Sequence, residues 1–423
     1  MKQISECLRI AFLVLIIAGI WYPASWENSR YLYLINIYRV LAMTIILIGT
    51  LTIQSLYFCT VFGVDLEKTI DAVSLFIFYT LLVKAISIIK RKGRINKLLE
   101  IIDEEEDIDD LMKGTAAKIK LMCEVYIGGC LVTAILWTLI PFTQPSLYLP
   151  FFYPDVPPDS PSFVRWYVYE AVILVIDGVS QPGFDCLFGG LMAFAATQFK
   201  LLQYKLDTIG RDETDEIDAA QKEQNDYNKA VSCVKFHVKI IRVVDELTSI
   251  FGAGAFSQFA VAGPLLCLSV FIIITSTDPI EMLTRVLYLC TLTGQLFFYC
   301  FCGELIKTQS DRVATAAYLS SWETTSLRTQ KALKLLMLRA QKTESVVAGN
   351  LFELSLITFA SKSLTDARTC CSCLAPGRIL NSRGDITYLS IDLGNEEAGI
   401  GSPMDLRECC QQQEYSWHCV RTA

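Results

Sequence analysis

The sequence predicts an all-α, polytopic membrane helical bundle with six clear spans, a truncated seventh, a cytoplasmic N-terminus and extended cytoplasmic helices. Hydrophobic residues occupy 52% of the 423 positions, whereas Asp, Glu, Lys and Arg occupy only 19%. Soluble domains carry about 25% charged residues, so this deficit favours a chain that lies largely in lipid. Long charge-free runs and an alternating distribution of basic residues indicate the same class. The lipid bilayer is therefore the first predicted partner.

Four spans are predicted from apolar runs that are long enough to cross the hydrocarbon core, which requires about 20 residues as a helix. These runs lie at residues 40–64, 125–142, 247–277 and 286–303. None of them contains a charged residue, which indicates that their helices lie within the bilayer.

Two further spans are predicted although they contain charged residues. Residues 72–89 include Lys84 towards the end of the apolar stretch, where a lysine is able to snorkel to the interface. Residues 166–199 contain acidic residues on either side of a predicted break at Pro182. Because a carboxylate in hydrocarbon normally faces water or the protein interior, Asp177 and Asp185 are predicted to join a polar network in a pocket or packing seam. A structural hydrogen bond to a neighbouring helix is the alternative.

Two other apolar stretches are too short to span the bilayer. Cys7–Ile20 predicts an interfacial or re-entrant helix anchored by Trp21, Tyr22 and Trp26, because no small-residue cleavage site of a signal peptide follows it. Leu351–Ala360 begins a seventh helix, but its apolar character stops before Lys362. About 11 residues do not cross a bilayer as a helix.

Basic residues alternate between the connections. Lys and Arg number four in residues 1–39, nine in 84–120, eight in 200–246 and seven in 304–345, but one each in 65–71, 144–165 and 276–285. The positive-inside rule assigns the rich connections and the N-terminus to the cytoplasm. This orientation argues against a G-protein-coupled receptor, whose N-terminus lies outside. The two last rich segments carry apolar residues at helical spacing and predict cytoplasmic helices.

The chain carries no P-loop and no GxSxG, HExxH or GxGxxG motif. Its two histidines are too few for a histidine metal site, and the tail cysteines lack paired CxxC spacing. A net charge of −7 gives no reason to expect nucleic acid as a partner. We therefore predict a protein that is not an enzyme and that needs no cofactor, metal or nucleic acid.

Several short patterns occur in an order that resembles the insect odorant receptor family. They are Leu8-Arg9 with Gly19-Ile20-Trp21-Tyr22-Pro23, Asp185-x-Leu187-Phe188, Tyr299-Cys300-Phe301-Cys302-Gly303-Glu304, Ser321-Trp322 and Leu338-Arg339-Ala340-Gln341-Lys342. The resemblance covers about residues 5–361. It implies a tuning subunit of an odorant-gated cation channel, which assembles with a co-receptor subunit as a hetero-tetramer. It also implies a multi-pass protein of the plasma membrane, in the dendrite of a sensory neuron.

The resemblance further implies where the ligand and the partner bind. A small volatile organic ligand is expected among the outer halves of helices two, three, four and six, in an apolar, aromatic cavity. The predicted ligand-binding residues are aromatic residues near the outer ends of these helices: Phe76, Tyr79, Trp137, Tyr167, Tyr169 and Tyr288. A lipid-facing aromatic belt is the alternative for each. Subunit contacts are expected from the cytoplasmic helix before the seventh span, through Trp322, Leu336, Arg339 and Gln341.

These expectations divide the chain into five regions. They are an N-terminal cytoplasmic or interfacial segment (1–35), a six-helix transmembrane region (36–306), a cytoplasmic helix for subunit contacts (307–350), the truncated start of helix seven (351–361) and a polar, Cys-rich, disordered tail (362–423). Where the family continues with an apolar helix, this chain turns to Lys362-Ser363-Leu364-Thr365-Asp366. The pore-lining helix is therefore predicted to be missing, as after intron read-through, a frameshift or an alternative last exon.

Three alternatives remain open. A non-conducting splice or read-through isoform that only binds the co-receptor follows from the truncated seventh segment. A gustatory-type receptor shares the architecture, and its Thr-Tyr-x-x-x-x-x-Gln-Phe motif would fall in the replaced region. A transporter predicts inverted repeats and paired broken helices, whereas only the fourth span is visibly interrupted.

Overall fold

A computed structural model of the chain describes residues 6–27, 30–45, 50–62, 77–103, 109–143, 163–211, 219–275, 279–362, 379–380 and 386–387. The helices in these ranges are α1 (Arg9–Ile17), α2 (Leu32–Met43), α3 (Thr50–Val61), α4 (Ile77–Asp103), α5 (Asp109–Thr143), α6 (Phe163–Asp207), α7 (Ala219–Thr275), α8 (Pro279–Leu319) and α9 (Leu327–Ala340). Two single 3₁₀ turns lie at Ala24–Trp26 and Trp322–Thr324. The prediction of an almost entirely helical protein is confirmed.

Four helices of the described part are long and apolar enough to cross a membrane. Their candidate spans lie in α5, α6, α7 and α8, at Lys113–Leu139, Phe163–Asp207, Ala220–Ile274 and Met282–Leu319. The first predicted span coincides instead with two shorter apolar helices, α2 and α3, on either side of residues outside the described ranges. The second coincides with α4, whose described residues begin at Ile77. Six spans and their orientation therefore stay predictions.

Helix α6 is the centre of the core. The predicted break at Pro182 is wrong, because α6 runs through Pro182 without interruption and is 45 residues long in total. A run of side chains from Ser180 to Phe199 is buried on every side of the helix, as expected for a helix surrounded by others. Gly183 permits close contact with α1, since a Cβ atom there would collide with Val14. Packing on all sides thus holds the helix together where proline removes a backbone donor.

Helix α1 packs into the bundle. Leu8, Ala11 and Leu15 are buried in the same core cluster as α6. Trp21, predicted to anchor a surface helix at the lipid interface, is buried, and its ring lies 5.2 Å from that of Phe12. The predicted anchoring role of Trp21 is therefore wrong, because its indole faces protein.

The basic segment after α8 folds back onto the long helices. Helix α9 buries Thr329, Leu333, Leu336 and Ala340, whose spacing of four, three and four residues forms one helix face. This face contacts α7 and α8. The helices predicted from the basic segments 200–246 and 304–345 are therefore present as the ends of α6, the start of α7, the end of α8 and α9.

A small hairpin that the sequence analysis missed follows α9. Strands β1 (Val347–Ala348) and β2 (Phe352–Glu353) pair antiparallel. The turn between them has Gly349 and Asn350 at φ +58°, and Gly349 N–H donates to the Gly252 carbonyl of α7 at 3.0 Å. Positive φ at two central residues is typical of a type I′ turn and favours Gly and Asn. The hairpin therefore docks on α7.

A salt bridge holds the second strand to α8. Lys307 Nζ lies 3.0 Å from Glu353 Oε2, and the hydrogen bond from Lys307 lowers the pKa of Glu353. Helical residues 356–362 follow. The chain divides into two compact units at residue 374, and in the second unit β3 (Ile379–Leu380) pairs antiparallel with β4 (Ile386–Thr387). The predicted disorder of the tail otherwise lies outside the described residues.

Candidate functional site

A cavity of about 160 Å³ lies between α4, α5, α6 and α8. Its lining residues are Ile77, Phe78, Tyr126, Cys130, Thr133, Ala134, Trp137, Leu174, Asp177, Gly178, Gln181, Pro182, Arg285, Tyr288, Thr291, Leu292 and Gln295. Most of these side chains are apolar or aromatic. An engineered apolar cavity of roughly 150 Å³ binds benzene. The space therefore suits a ligand with one small ring or a short chain.

Aromatic rings of α5 and α8 form one wall of the cavity. The rings of Trp137 and Tyr288 lie 6.2 Å apart, and Tyr126 stacks on Phe298 with ring centroids 5.6 Å apart. The guanidinium carbon of Arg285 lies 5.7 Å from the Trp137 ring centroid, which is a cation–π contact. Rigid ring faces offer an apolar ligand a large contact area.

A buried ion pair borders the cavity. Lys84 Nζ of α4 lies 2.9 Å from Asp185 Oδ1 of α6, and both side chains are 0% exposed. The carboxylate also accepts hydrogen bonds from Tyr126 at 3.2 Å, from Gln295 at 2.5 Å and from Tyr299. Tyr126 and Gln295 line the cavity as well. With Gln181 they form what we call the cavity floor.

Glutamine side chains extend this ion pair into a closed ring. Gln181 accepts from Lys84 Nζ at 2.7 Å and donates to Thr80 Oγ1 at 2.9 Å. The Thr80 hydroxyl lies 2.6 Å from the Ile77 carbonyl and 3.2 Å from Gln258 Oε1, so its one hydrogen is shared between these two acceptors. Gln258 donates to Gln295 Oε1 at 2.7 Å. Gln295 donates to Asp185, which completes a ring of hydrogen-bonded side chains. We call the six side chains Thr80, Lys84, Gln181, Asp185, Gln258 and Gln295 the polar ring.

The polar ring joins four helices. Two pairs of its members are four residues apart, Thr80 with Lys84 on α4 and Gln181 with Asp185 on α6, so each pair shares a helix face. Burying a charge is costly unless it is paired and its hydrogen-bonding capacity is satisfied. Here every member has a partner, and such satisfied networks favour one arrangement of the helices.

Asp177 lies one turn before Gln181 and lines the cavity. Its side chain is only 3% exposed. Within the part of the chain that the structure describes, Asp177 forms no hydrogen bond and no ion pair. It is therefore an acceptor in the cavity wall whose capacity is unused.

A second, smaller cavity of about 20 Å³ lies between α3, α4 and α6. Gln54, Tyr169 and Glu170 line it, and both carboxylate oxygens of Glu170 have no partner among the described residues. A space of this size holds about one water molecule. In the same ranges, no group of three or more His, Cys, Asp or Glu side chains is arranged to hold a metal ion.

Comparison with known proteins identifies the family of this helical bundle. Residues 65–362 match the sequence profile of the family described as 7tm odorant receptor. The chain belongs to this family. It is therefore a multi-pass membrane protein of a receptor family rather than an enzyme, in agreement with the prediction from the sequence.

Two curated relatives illustrate how far the receptor has diverged. It is 25% identical to odorant receptor 82a of Drosophila melanogaster over 51% of this chain and 54% of that relative. It is 24% identical to odorant receptor 10 of Aedes albopictus over 61% of this chain and 68% of that relative. The matched part of the receptor thus spans about half the length of the first relative and two thirds of the second.

A solved structure shares the fold of the receptor. The insect olfactory receptor OR5 from Machilis hrabei, in complex with eugenol, superposes with a TM-score of 0.74. The superposition covers 88% of this chain and 97% of that one, at 19% sequence identity. The ligand-free form of the same receptor gives a TM-score of 0.73. At this identity the likeness concerns the fold alone.

Two of the predicted ligand-binding residues of the receptor, Trp137 and Tyr288, line the main cavity. Tyr169 lines the smaller one, while Tyr79 bonds to Ser55 and Tyr167 donates to the Thr138 carbonyl. Phe76 lies outside the described residues. Of the two acidic candidates, Asp185 belongs to the polar ring and Asp177 lines the cavity. Ligand contact by any of them stays a prediction.

The sequence analysis missed most of the polar ring. Its prediction that Lys84 snorkels to the interface is wrong, because α4 continues past it and the ammonium is buried against Asp185. Gln258 and Gln295 each stand in an otherwise apolar span, which was an available signal for a partner across the bundle. Nothing local in the sequence indicates that these residues meet.

The predicted subunit-contact residues lie on α9 or close to its ends. Leu336 is buried in the subunit core, whereas Gln341 is exposed. Trp322 is half-buried and donates to the Tyr318 carbonyl at 3.2 Å, and Arg339 bonds to Glu344. The contribution of these residues to subunit assembly stays a prediction.

Proposed function

We propose that this chain is an odorant receptor subunit, which binds a small volatile organic ligand in the main cavity and gates a cation channel together with a co-receptor subunit. The observation that carries the proposal is the cavity itself: about 160 Å³ between α4, α5, α6 and α8, with an aromatic wall and few polar groups. Pockets for small apolar ligands have this character. Trp137 and Tyr288 are the residues that we expect to contact the ligand.

The proposed topology has six spans and a cytoplasmic N-terminus. Its support is the alternation of basic and non-basic connections along the chain, read by the positive-inside rule. This arrangement leaves α9 and the hairpin in the cytoplasm and the mouth of the cavity towards the outer leaflet. The plasma membrane of a sensory dendrite is the corresponding proposed location.

The proposed partner is a co-receptor in a hetero-tetramer. Leu327, Leu335 and Leu338 on α9 are exposed large apolar residues, on the side of the helix away from the buried Leu333 and Leu336. An apolar face outside the bilayer that the subunit does not cover is suited to contact with another subunit. The solved structure of a relative bound to eugenol adds support by analogy for a small ligand.

The test is current in cells that express the full chain together with a co-receptor. A panel of small volatile compounds is applied, and cells with the co-receptor alone serve as the baseline. We expect inward current to at least one compound, and we expect Trp137→Ala to raise the half-maximal concentration at least tenfold. Trp166→Ala is the matched control, because Trp166 lines neither cavity. Equal responses with and without this chain would refute the proposal.

A second candidate function is a non-conducting subunit that binds the co-receptor without contributing a pore helix. The observation that favours it is the polar sequence from Lys362 onwards, where an apolar pore helix is expected. A tag after Ala423 distinguishes the candidates by antibody access, with a tag at Met1 as the inside control. Access in intact cells favours a complete seventh span, whereas access only after permeabilisation favours the non-conducting subunit.

A further inference from the structure

The main cavity is lined by one acidic side chain, and no described residue forms a hydrogen bond or ion pair with it. Asp177 is 3% exposed, lines the cavity and has no hydrogen bond or ion pair with any described residue. A buried carboxylate is costly unless a counter-charge or hydrogen-bond donors satisfy it. Asp185 of the polar ring and the carboxylates of the surface pairs have such partners, whereas Asp177, like Glu170 beside the smaller cavity, has none among the described residues.

Two hydroxyl groups of the cavity lining also face the cavity as acceptors. The hydroxyl of Thr133 donates to the Gly129 carbonyl at 2.9 Å, and that of Thr291 donates to the Leu287 carbonyl at 2.9 Å. Each hydroxyl therefore directs its hydrogen at its own helix and leaves only lone pairs for the cavity. A ligand that satisfies these groups must bring donors.

Among the described residues, no side chain of the cavity floor donates a hydrogen bond to Asp177. The Gln181 amide donates to Thr80 Oγ1 and to a backbone carbonyl, each at 2.9 Å, so both of its hydrogens are used. The Lys84 ammonium is held by Asp185 at 2.9 Å and by Gln181 at 2.7 Å. Lys84 also attracts Asp177 electrostatically, but no hydrogen bond or ion pair joins the two, and the ammonium is held against Asp185 within the ring.

The other charged group of the cavity lining lies far along its helix. Arg285 precedes the floor residue Gln295 by ten positions on α8, which is about 15 Å along the axis. Asp177 precedes Gln181 by four positions on α6, which is about 6 Å. The guanidinium of Arg285 packs over Trp137. The cation and the anion of the cavity therefore lie at different depths, with the anion near the floor.

We propose that Asp177 makes this cavity selective for small protonated amines. The ammonium group of the ligand binds the Asp177 carboxylate and donates its remaining hydrogens to acceptors such as Thr133. The apolar part of the ligand packs against the rings of Trp137 and Tyr288. A charge-assisted hydrogen bond inside an apolar cavity favours the amine over a neutral molecule of the same shape by a factor of ten or more. This inference rests on the proposed function, because it assumes that ligands enter the main cavity.

The test is direct binding to the purified full-length chain in lipid nanodiscs at pH 7, measured by calorimetry. The probes are 2-phenylethylamine, its neutral isostere propylbenzene, and 2-phenylethanol, which donates one hydrogen without charge. We expect the amine to bind at least tenfold more tightly than either neutral compound. This comparison uses the unaltered protein, so it does not depend on whether a variant folds.

Two matched variants attribute the selectivity to one carboxylate. Asp177→Asn keeps the side-chain shape and is expected to lower the ratio of amine affinity to propylbenzene affinity at least tenfold. Glu170→Gln removes another buried, unpartnered carboxylate two turns away on α6, outside the main cavity, and is expected to keep the preference. If propylbenzene binds as tightly as the amine, or if Asp177→Asn keeps the preference, the inference is overturned and the proposed function stands. If none of the three compounds binds, the inference is overturned, and the current measurement with the full panel decides the proposed function separately.

Discussion

Replacing Lys84 with methionine tests whether the polar ring holds its charges as one unit. Methionine keeps a flexible unbranched side chain and removes the ammonium. The Asp185 carboxylate then remains 0% exposed, with Tyr126, Gln295 and Tyr299 as donors but without a counter-charge. Gln181 also loses the donor to its side-chain oxygen.

The expected cost is large. Removing one partner of a buried ion pair typically destabilises a protein by about 3–5 kcal/mol, because an uncompensated charge is left behind. The three remaining donors to Asp185 reduce this loss, so we expect about 3 kcal/mol for Lys84→Met. The double variant Lys84→Met with Asp185→Asn removes the isolated charge and keeps the carboxamide in place. It is expected to recover about half of the lost stability.

The assay is the free energy of unfolding of the purified protein in mixed micelles, measured by titration with SDS. Arg94→Met is the matched control on α4, because Arg94 forms an ion pair with Glu246 in which both side chains are about half exposed, 44% and 45%. Such surface pairs contribute roughly 0–1 kcal/mol. The reasoning is refuted if Lys84→Met costs no more than Arg94→Met, or if the double variant is no more stable than the single one.

Two further variants test the packing around α8 and α9 by the same unfolding measurement. Gly303→Ala is expected to destabilise the protein by about 1–3 kcal/mol, because the added Cβ collides with the backbone oxygen of Leu354. Gly128→Ala is the control: its added Cβ meets nothing within 4 Å, and it is expected to leave stability unchanged or slightly raised. Equal effects of the two substitutions on stability would contradict the packing argument. Leu336→Ala is expected to lower the free energy of unfolding by about 2–5 kcal/mol, because it leaves a cavity in the core. Leu335 is exposed on α9, so Leu335→Ala is expected to preserve the stability of the monomer and to weaken assembly with the co-receptor, measured by co-purification. A larger stability loss for Leu335→Ala than for Leu336→Ala would reverse the assigned faces.

The helices were predictable from the sequence because the signals for them are local. A charge-free run such as 247–277 is long enough to exclude most other structures, and α7 covers it as far as Thr275. The basic segment 304–345 carries helical spacing, and α9 forms there. Pro182 was misread as a break, because its tolerance depends on the packing of α1 and other helices against α6, which no local pattern encodes.

The candidate site was only partly predictable, because its members are far apart in the chain. Lys84 and Asp185 are separated by 101 positions, and Gln258 lies 178 positions from Thr80. Asp185 could be singled out as a costly carboxylate in an apolar span, but its partner depends on how four helices pack. Trp137 was identified because an aromatic residue near a predicted helix end is a local feature.

The cavity floor performs two tasks with the same side chains, and this limits how the ligand preference of the receptor is able to change. Gln181 and Gln295 face the ligand space and also close the polar ring, so a substitution at either position alters selectivity and stability together. Thr133 and Trp137 on α5 line the same space without a bond to the ring. New odour preferences are therefore most accessible to mutation on the α5 wall, while the floor constrains the depth at which any ligand sits.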